Sequence, residues 1–221
     1  MTGSETTTEK SDISTITFAL HPNVSLRVSL HKSIPINPHQ VVNQLLTLPG
    51  NTTTEKFAIL DANKIITMDQ IAVAANTALL RRFQFEQKNG GITTHRRGIA
   101  LDTILCCAGS TNTASVLKDY AFDQHSIAAK EVGTSSSEGV YDVFLLGYCQ
   151  SDEEFQDVIE TLKLGVAESN SGVEAYLART RSEKEVNDLM KVYKITKDEV
   201  EMCGLSMDKA VINRIASKFY I

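Results

Sequence analysis

Near the start of the chain, apolar and polar residues alternate in two stretches. Val24, Leu26, Val28 and Leu30 fall on one side and Ser25, Arg27 and Ser29 on the other, which predicts a strand with one solvated or partner-facing side. Ile16 to Leu20 alternates in the same way and is expected to pair with it across His21-Pro22-Asn23. Asn37-Pro38 then offers an N-cap and a proline for the first helical turn. Val41, Val42, Leu45 and Leu46 supply a helical stripe, and Pro49-Gly50 stops it.

Phe57 to Leu60 reads as a brief buried strand. Thr67 and Gln70 have the spacing of a capping box, and Ile71, Ala74, Ala75, Ala78 and Leu79 follow at helical spacing. Val73 and Leu80 lie nearly opposite that stripe, so the helix is expected to be covered on two sides. A polar loop from Glu86 to Gly98 separates it from the apolar run Ile99 to Ala108, which suits a buried strand interrupted by Asp102 and Thr103. Ser110, Thr111 and Asn112 can cap a helix containing Ala114, Leu117 and Ala121, and Val140 to Tyr148 is a further apolar strand.

The last third has helical periodicity. Ser151 with Glu154 and Ser182 with Glu185 are capping boxes, followed by Phe155, Val158, Ile159 and Leu162 and by Val186, Leu189, Met190 and Tyr193. A final helix begins near Ser206 and carries Met207, Val211, Ile212, Ile215, Ala216 and Phe219. Strands, a few βα pairs and a helical C-terminal part together predict an α/β (α+β) fold. The expectation is one domain over 15–221, with a mixed central sheet flanked by helices, behind a disordered tail at 1–14. The serine-rich stretch Gly133 to Gly139 reads as a surface loop.

Composition narrows the class. The 221 residues are 42% hydrophobic and 22% charged, ordinary for a globular protein, which excludes collagen-like, mucin-like and fully disordered chains. Cys106, Cys107, Cys149 and Cys203 have no metal-binding or thioredoxin-like spacing, so buried thiols in a reducing compartment are expected. No signal peptide or membrane-length apolar run is present in the sequence. Cytoplasm or nucleus follows as the expected location.

Little in the chain points to catalysis. There is no phosphate-binding glycine loop, nucleophile elbow or metal-spaced Cys/His cluster, and nothing calls for a cofactor or metal. The histidines, His21, His31, His39, His95 and His125, stand near predicted turns or element ends and read as surface residues. The acids Asp152, Glu153, Glu154, Asp157 and Glu160 begin a helix, where negative charge complements the macrodipole. A small enzyme using Cys106 or His95 in a cleft is the competing reading.

Charge is unevenly spread. The net charge is −5, yet between Thr77 and Gly98 Arg81, Arg82, Lys88, Arg96 and Arg97 face one acid, Glu86. That segment therefore carries +4 and leaves −9 on the remainder. A helix end and following loop would present these cations together, either to phosphates or simply to solvent.

Four segments carry a resemblance: Asp69-Gln70-Ile71-Ala72-Val73-Ala74-Ala75-Asn76-Thr77-Ala78, Thr94-His95-Arg96-Arg97-Gly98-Ile99-Ala100-Leu101-Asp102-Thr103-Ile104, Ser110 to Tyr120, and Val186 to Thr196 with its Val192-Tyr193-Lys194-Ile195. In order and rough spacing the chain resembles the PRPK-binding protein (TPRKB) family, the small subunit of the KEOPS/EKC complex. The resemblance implies a non-enzymatic subunit that binds a PRPK-type atypical kinase and, through it, the sugar-kinase-like catalytic subunit. The complex makes threonylcarbamoyladenosine (t6A) in ANN-decoding tRNAs. By the same resemblance Met207, Val211 and Ile215 are expected at the kinase contact. Arg81, Arg82, Lys88, His95, Arg96 and Arg97 are expected toward the tRNA 3′ CCA end.

Overall fold

The computed structural model describes residues 13–35, 38–50, 55–90, 97–109, 112, 115–116, 140–202, 204 and 206–218. Its centre is a four-stranded sheet of β1 (Ser14–Phe18), β2 (His21–Ile34), β3 (Phe57–Asp61) and β4 (Tyr141–Gly147), in the order β1-β2-β4-β3. Each neighbouring pair is antiparallel, so the α+β class stands while the sheet is not mixed. The β1–β2 hairpin turns at Ala19-Leu20, with Phe18 opposite His21, and Pro22 and Asn23 belong to β2. Ser14, expected in the tail, already pairs with Val28.

Alternation along the strands builds two cores. Leu26, Val28 and Leu30 share a face with Ala58, Leu60, Phe144 and Leu146. Against it pack α2 (Met68–Lys88), α3 (Ile99–Cys107), α6 (Glu183–Tyr193) and α8 (Met207–Lys218). On the opposite face, Phe57, Ile59, Val143 and Leu145 meet α1 (Pro38–Thr47) and α4 (Asp152–Leu162). Two shorter helices, α5 (Asn170–Leu177) and α7 (Lys197–Met202), and a 3-10 turn at Ala62–Lys64 complete the described elements. Helices on both faces remove the strands' apolar side chains from water, the main favourable term in folding.

Of the three expected capping boxes one closes fully; at Ser151 the hydroxyl accepts from Glu154 N at 3.2 Å, but the Glu154 carboxylate accepts from Gln150 N, one residue early. Ser182 Oγ accepts from Glu185 N, and the Glu185 carboxylate accepts from Ser182 N at 2.7 Å, a complete capping box. Thr67 Oγ1 accepts from Gln70 N at 3.1 Å, but the Gln70 side chain accepts from Ile66 N, one residue earlier than in a capping box. The other end of the Gln70 amide donates to Tyr193 Oη, which donates in turn to the Lys64 carbonyl at 2.6 Å. The start of α2 is thereby tied to the end of α6.

Three expectations fail for identifiable reasons. Ile99–Cys107 is a helix, not a strand; Ala100 and Thr103 to Cys107 are all buried, so burial around most of the helix erases the periodicity that would have marked it. The polar side of β2 is not solvated. Arg27, Ser29 and His31 are buried there, Arg27 bonding Asp152 and the Cys149 and Gln150 carbonyls, and Ser29 Oγ lying 2.8 Å from His31 Nε2. His31 is accordingly not a surface residue. Its pKa is lowered from 6.5 to about 4 by burial, partly offset by the backbone of Leu164 and Gly165 and by Glu168.

Cys106, Cys107 and Cys149 are buried free thiols. Cys203, His39, His125, the tail through residue 12, Ala114, Leu117, Ala121, Gly133 to Gly139 and Phe219 to Ile221 lie outside the described side chains.

Candidate functional site

The basic segment is organised by α2 and α3. At 21 residues α2 is about 30 Å long, at 1.5 Å per residue. It runs past the predicted loop start at Glu86 to Lys88, where Asn89 N donates to the Phe85 carbonyl at 3.0 Å and Gly90 turns the chain with φ +64°. Arg81 and Arg82 are half-buried on its last turns, and Lys88 is exposed. α3 begins immediately after Gly98 and carries Asp102 in its first turn, where an acid is favoured by the helix dipole.

Asp102 collects the arginines. Arg82 Nε donates to Asp102 Oδ2 at 3.0 Å, and Arg97 Nε lies 3.4 Å from Oδ1. Arg82 also donates to the Arg97 carbonyl, tying the residues that lead into α3 to α2. Arg82 and Arg97 are thus brought together, with Arg81 beside them on α2. Lys88 lies farther along the same helix, and His95 and Arg96 fall outside the described residues. The residue expected to interrupt a strand is therefore the anchor of the cluster.

The same geometry bears on the competing enzyme. The Cys106 side chain points into the core, with no exposed surface. Burial pushes its thiol up to about 11, against the opposing pull of Arg81. A thiol in that state is protonated at neutral pH and makes a poor nucleophile. Cys107, also fully buried, is pushed higher by the same cause. Among the described residues no cluster of His, Cys, Asp and Glu has the arrangement to hold a metal ion, and no helix is long and apolar enough to cross a membrane.

The C-terminal helix is seated differently from expectation. Val211 and Ile215 have no exposed surface and pack into the core with Ala210, where α8 lies against α2. Met207 is half-buried against the same core. These residues hold the helix in place, so the side open to a partner is the other one. Lys209 and Asn213 are exposed there, with Ile212 and Ala216 half-buried. Arg214 reaches across to Glu199 at 2.7 Å and to the Lys194 carbonyl at 3.1 Å, fixing α8 to α7 and to the end of α6.

Several apolar side chains near the basic cluster escaped the sequence reading. Phe83 and Phe85 are 48% and 45% exposed, and Leu20 at the hairpin tip is 69% exposed. The His21 ring meets Phe83 edge-on at 6.1 Å between centroids, placing the hairpin tip beside α2. The available signal was that Phe83 and Phe85 lie beyond Arg81-Arg82, where the apolar stripe of α2 gives way to polar residues.

Residues 33–219 match the sequence model of the family described as kinase binding protein CGI-121. The chain belongs to that family. This is the family of the resemblance carried by the four segments above. The match begins within β2, yet the preceding hairpin is integral to the sheet, because β2 pairs with both β1 and β4. No curated protein matches the chain. Family membership gives kinase binding as the property of its relatives.

Proposed function

We propose that the chain is a non-catalytic accessory subunit of the KEOPS/EKC complex. In this reading it docks a PRPK-type atypical kinase, is linked through it to the sugar-kinase-like catalytic subunit, and helps hold tRNA for t6A modification in cytoplasm and nucleus. The observation that carries the reading is the match to a kinase binding family over residues 33–219. Kinase docking falls to the outward side of α8. Ile212 and Ala216 supply apolar surface between Lys209 and Asn213, while Val211 and Ile215 support the helix from beneath. Apolar area removed from water there is worth about 25 cal/mol per Å².

RNA contact falls to the basic end of α2. Arg81, Lys88 and Arg97 supply cations, and Arg82 steadies the group through Asp102. Phe83 and Phe85 stand exposed on the same helix, and an aromatic face beside cations suits the unpaired bases of a 3′ CCA end. Filter binding with tRNA that has or lacks the CCA end tests this arm. Loss of discrimination in Phe83→Ala and Arg97→Ala supports it, and unchanged binding in both removes it. The kinase arm is tested separately, by co-elution of the kinase with Ala216→Arg.

A further inference from the structure

We propose that the groove where α6 passes into α7 docks an acidic segment of a partner protein through an aliphatic anchor side chain. None of its lining residues belongs to α8 or to the basic end of α2. The groove holds about 540 Å³ and is lined by Met190 and Ile195, with Lys191, Lys194 and Lys197 around them.

Its shape follows from how α6 ends. Lys194 adopts a left-handed conformation with φ +54°; its N donates to the Lys191 carbonyl at 3.2 Å, and Ile195 N donates to the Met190 carbonyl at 2.9 Å. That termination turns Lys194 to solvent and Ile195 into the core. Thr196 then caps α7, accepting from Glu199 N at 3.1 Å, and Lys197 opens that helix. Three lysines at intervals of three residues reach one concavity from a helix end, a turn and a helix start.

The placement of charge favours an anionic occupant. Lys191 and Lys194 suit the C-terminal end of α6, whereas Lys197 opens the six-residue α7, where the dipole gives a cation no help. Of the nearby acids, Glu199 holds Arg214 at 2.7 Å, and Asp188 lies 3.6 Å from Lys191 itself, in an exposed pair of the weak kind. The lining residues include three cations and no carboxylate. They also include no aromatic ring on which a base could stack, so an acidic peptide fits better than single-stranded RNA. The apolar floor takes the anchor while the lysines meet flanking carboxylates, the usual division between the centre and rim of an interface.

The probe is a fluorescein-labelled peptide of glutamate pairs alternating with leucine, titrated by anisotropy against the full chain. The expected result is saturable binding that weakens with salt and falls about tenfold or more, about 1.4 kcal/mol, in Lys191→Glu/Lys197→Glu. Both lysines are exposed, so this variant is expected to melt with the native protein. Lys191→Gln/Lys197→Gln is expected to fall between the two. No binding of the peptide, or equal binding by the native and charge-reversed proteins, overturns the proposal. So does binding of oligouridylate in its place with the same dependence on the lysines.

Discussion

Arg82 and Asp102 join at 3.0 Å across the seam between α2 and α3, with both side chains largely shielded from water. The pair ties a cation of the basic segment to a carboxylate outside it. A count of charges by segment therefore overstates how much of that cation is available to a phosphate. Arg97, whose side chain is 41% exposed on the other side of the same carboxylate, is better placed for outside contact.

Replacing Asp102 by alanine leaves the shielded Arg82 guanidinium without its carboxylate and α3 without its first-turn acid. The expected loss is about 1–3 kcal/mol in urea unfolding. Affinity for tRNA is expected to hold or rise, because the remaining cations lose their internal competitor. Stability equal to the native protein would show that the pair contributes nothing to the seam.

Burial of His31 makes stability sensitive to acid. Its folded pKa of about 4 lies below the ordinary 6.5, so the unfolded chain takes up the proton first as pH falls. The His31 contribution is complete above pH 6.5 and is lost progressively between there and about 4, up to about 3 kcal/mol. Urea midpoints of the native protein and His31→Gln across that range check this. The gap between the curves should change in that window, whereas parallel curves would contradict it.

Gly147 closes the sheet against α4. A Cβ at this position would lie 2.6 Å from the Phe155 ring and 2.7 Å from Phe57. Both rings belong to the core on that face, and Phe155 is fully buried. Gly147→Ala is expected to cost about 1–3 kcal/mol by overpacking. A melting temperature unchanged from the native protein would show that the rings can move aside.

Elements with a one-sided environment could be read from the chain. The Ser182-Glu185 capping box and the stripes of α4 and α6 lie where the spacing puts them, because each helix buries one face and wets the other. The reading broke down where burial is set by distant segments. α3 lost its period because its apolar residues are enclosed around most of the helix, and nothing near His31 in sequence announces that the Leu164-Gly165 turn covers it. The same limit explains α8: an apolar face says that something covers it, and in this fold the cover of Val211 and Ile215 is the chain's own core. Arg82 and Arg97 were legible as cations, but their meeting through Asp102 needed α3 to be a helix.

Kinase docking through α8 is checked by calorimetric titration of the full chain into a purified PRPK-type kinase, for the native protein and for Ala216→Arg. Ala216 lies on the outward side of α8, so the substitution is expected to leave the melting temperature in place. Saturable heat of binding is expected for the native protein, and its loss in the variant. No binding by the native protein would contradict kinase docking, and equal binding by the variant would contradict the assignment of α8 as the docking surface.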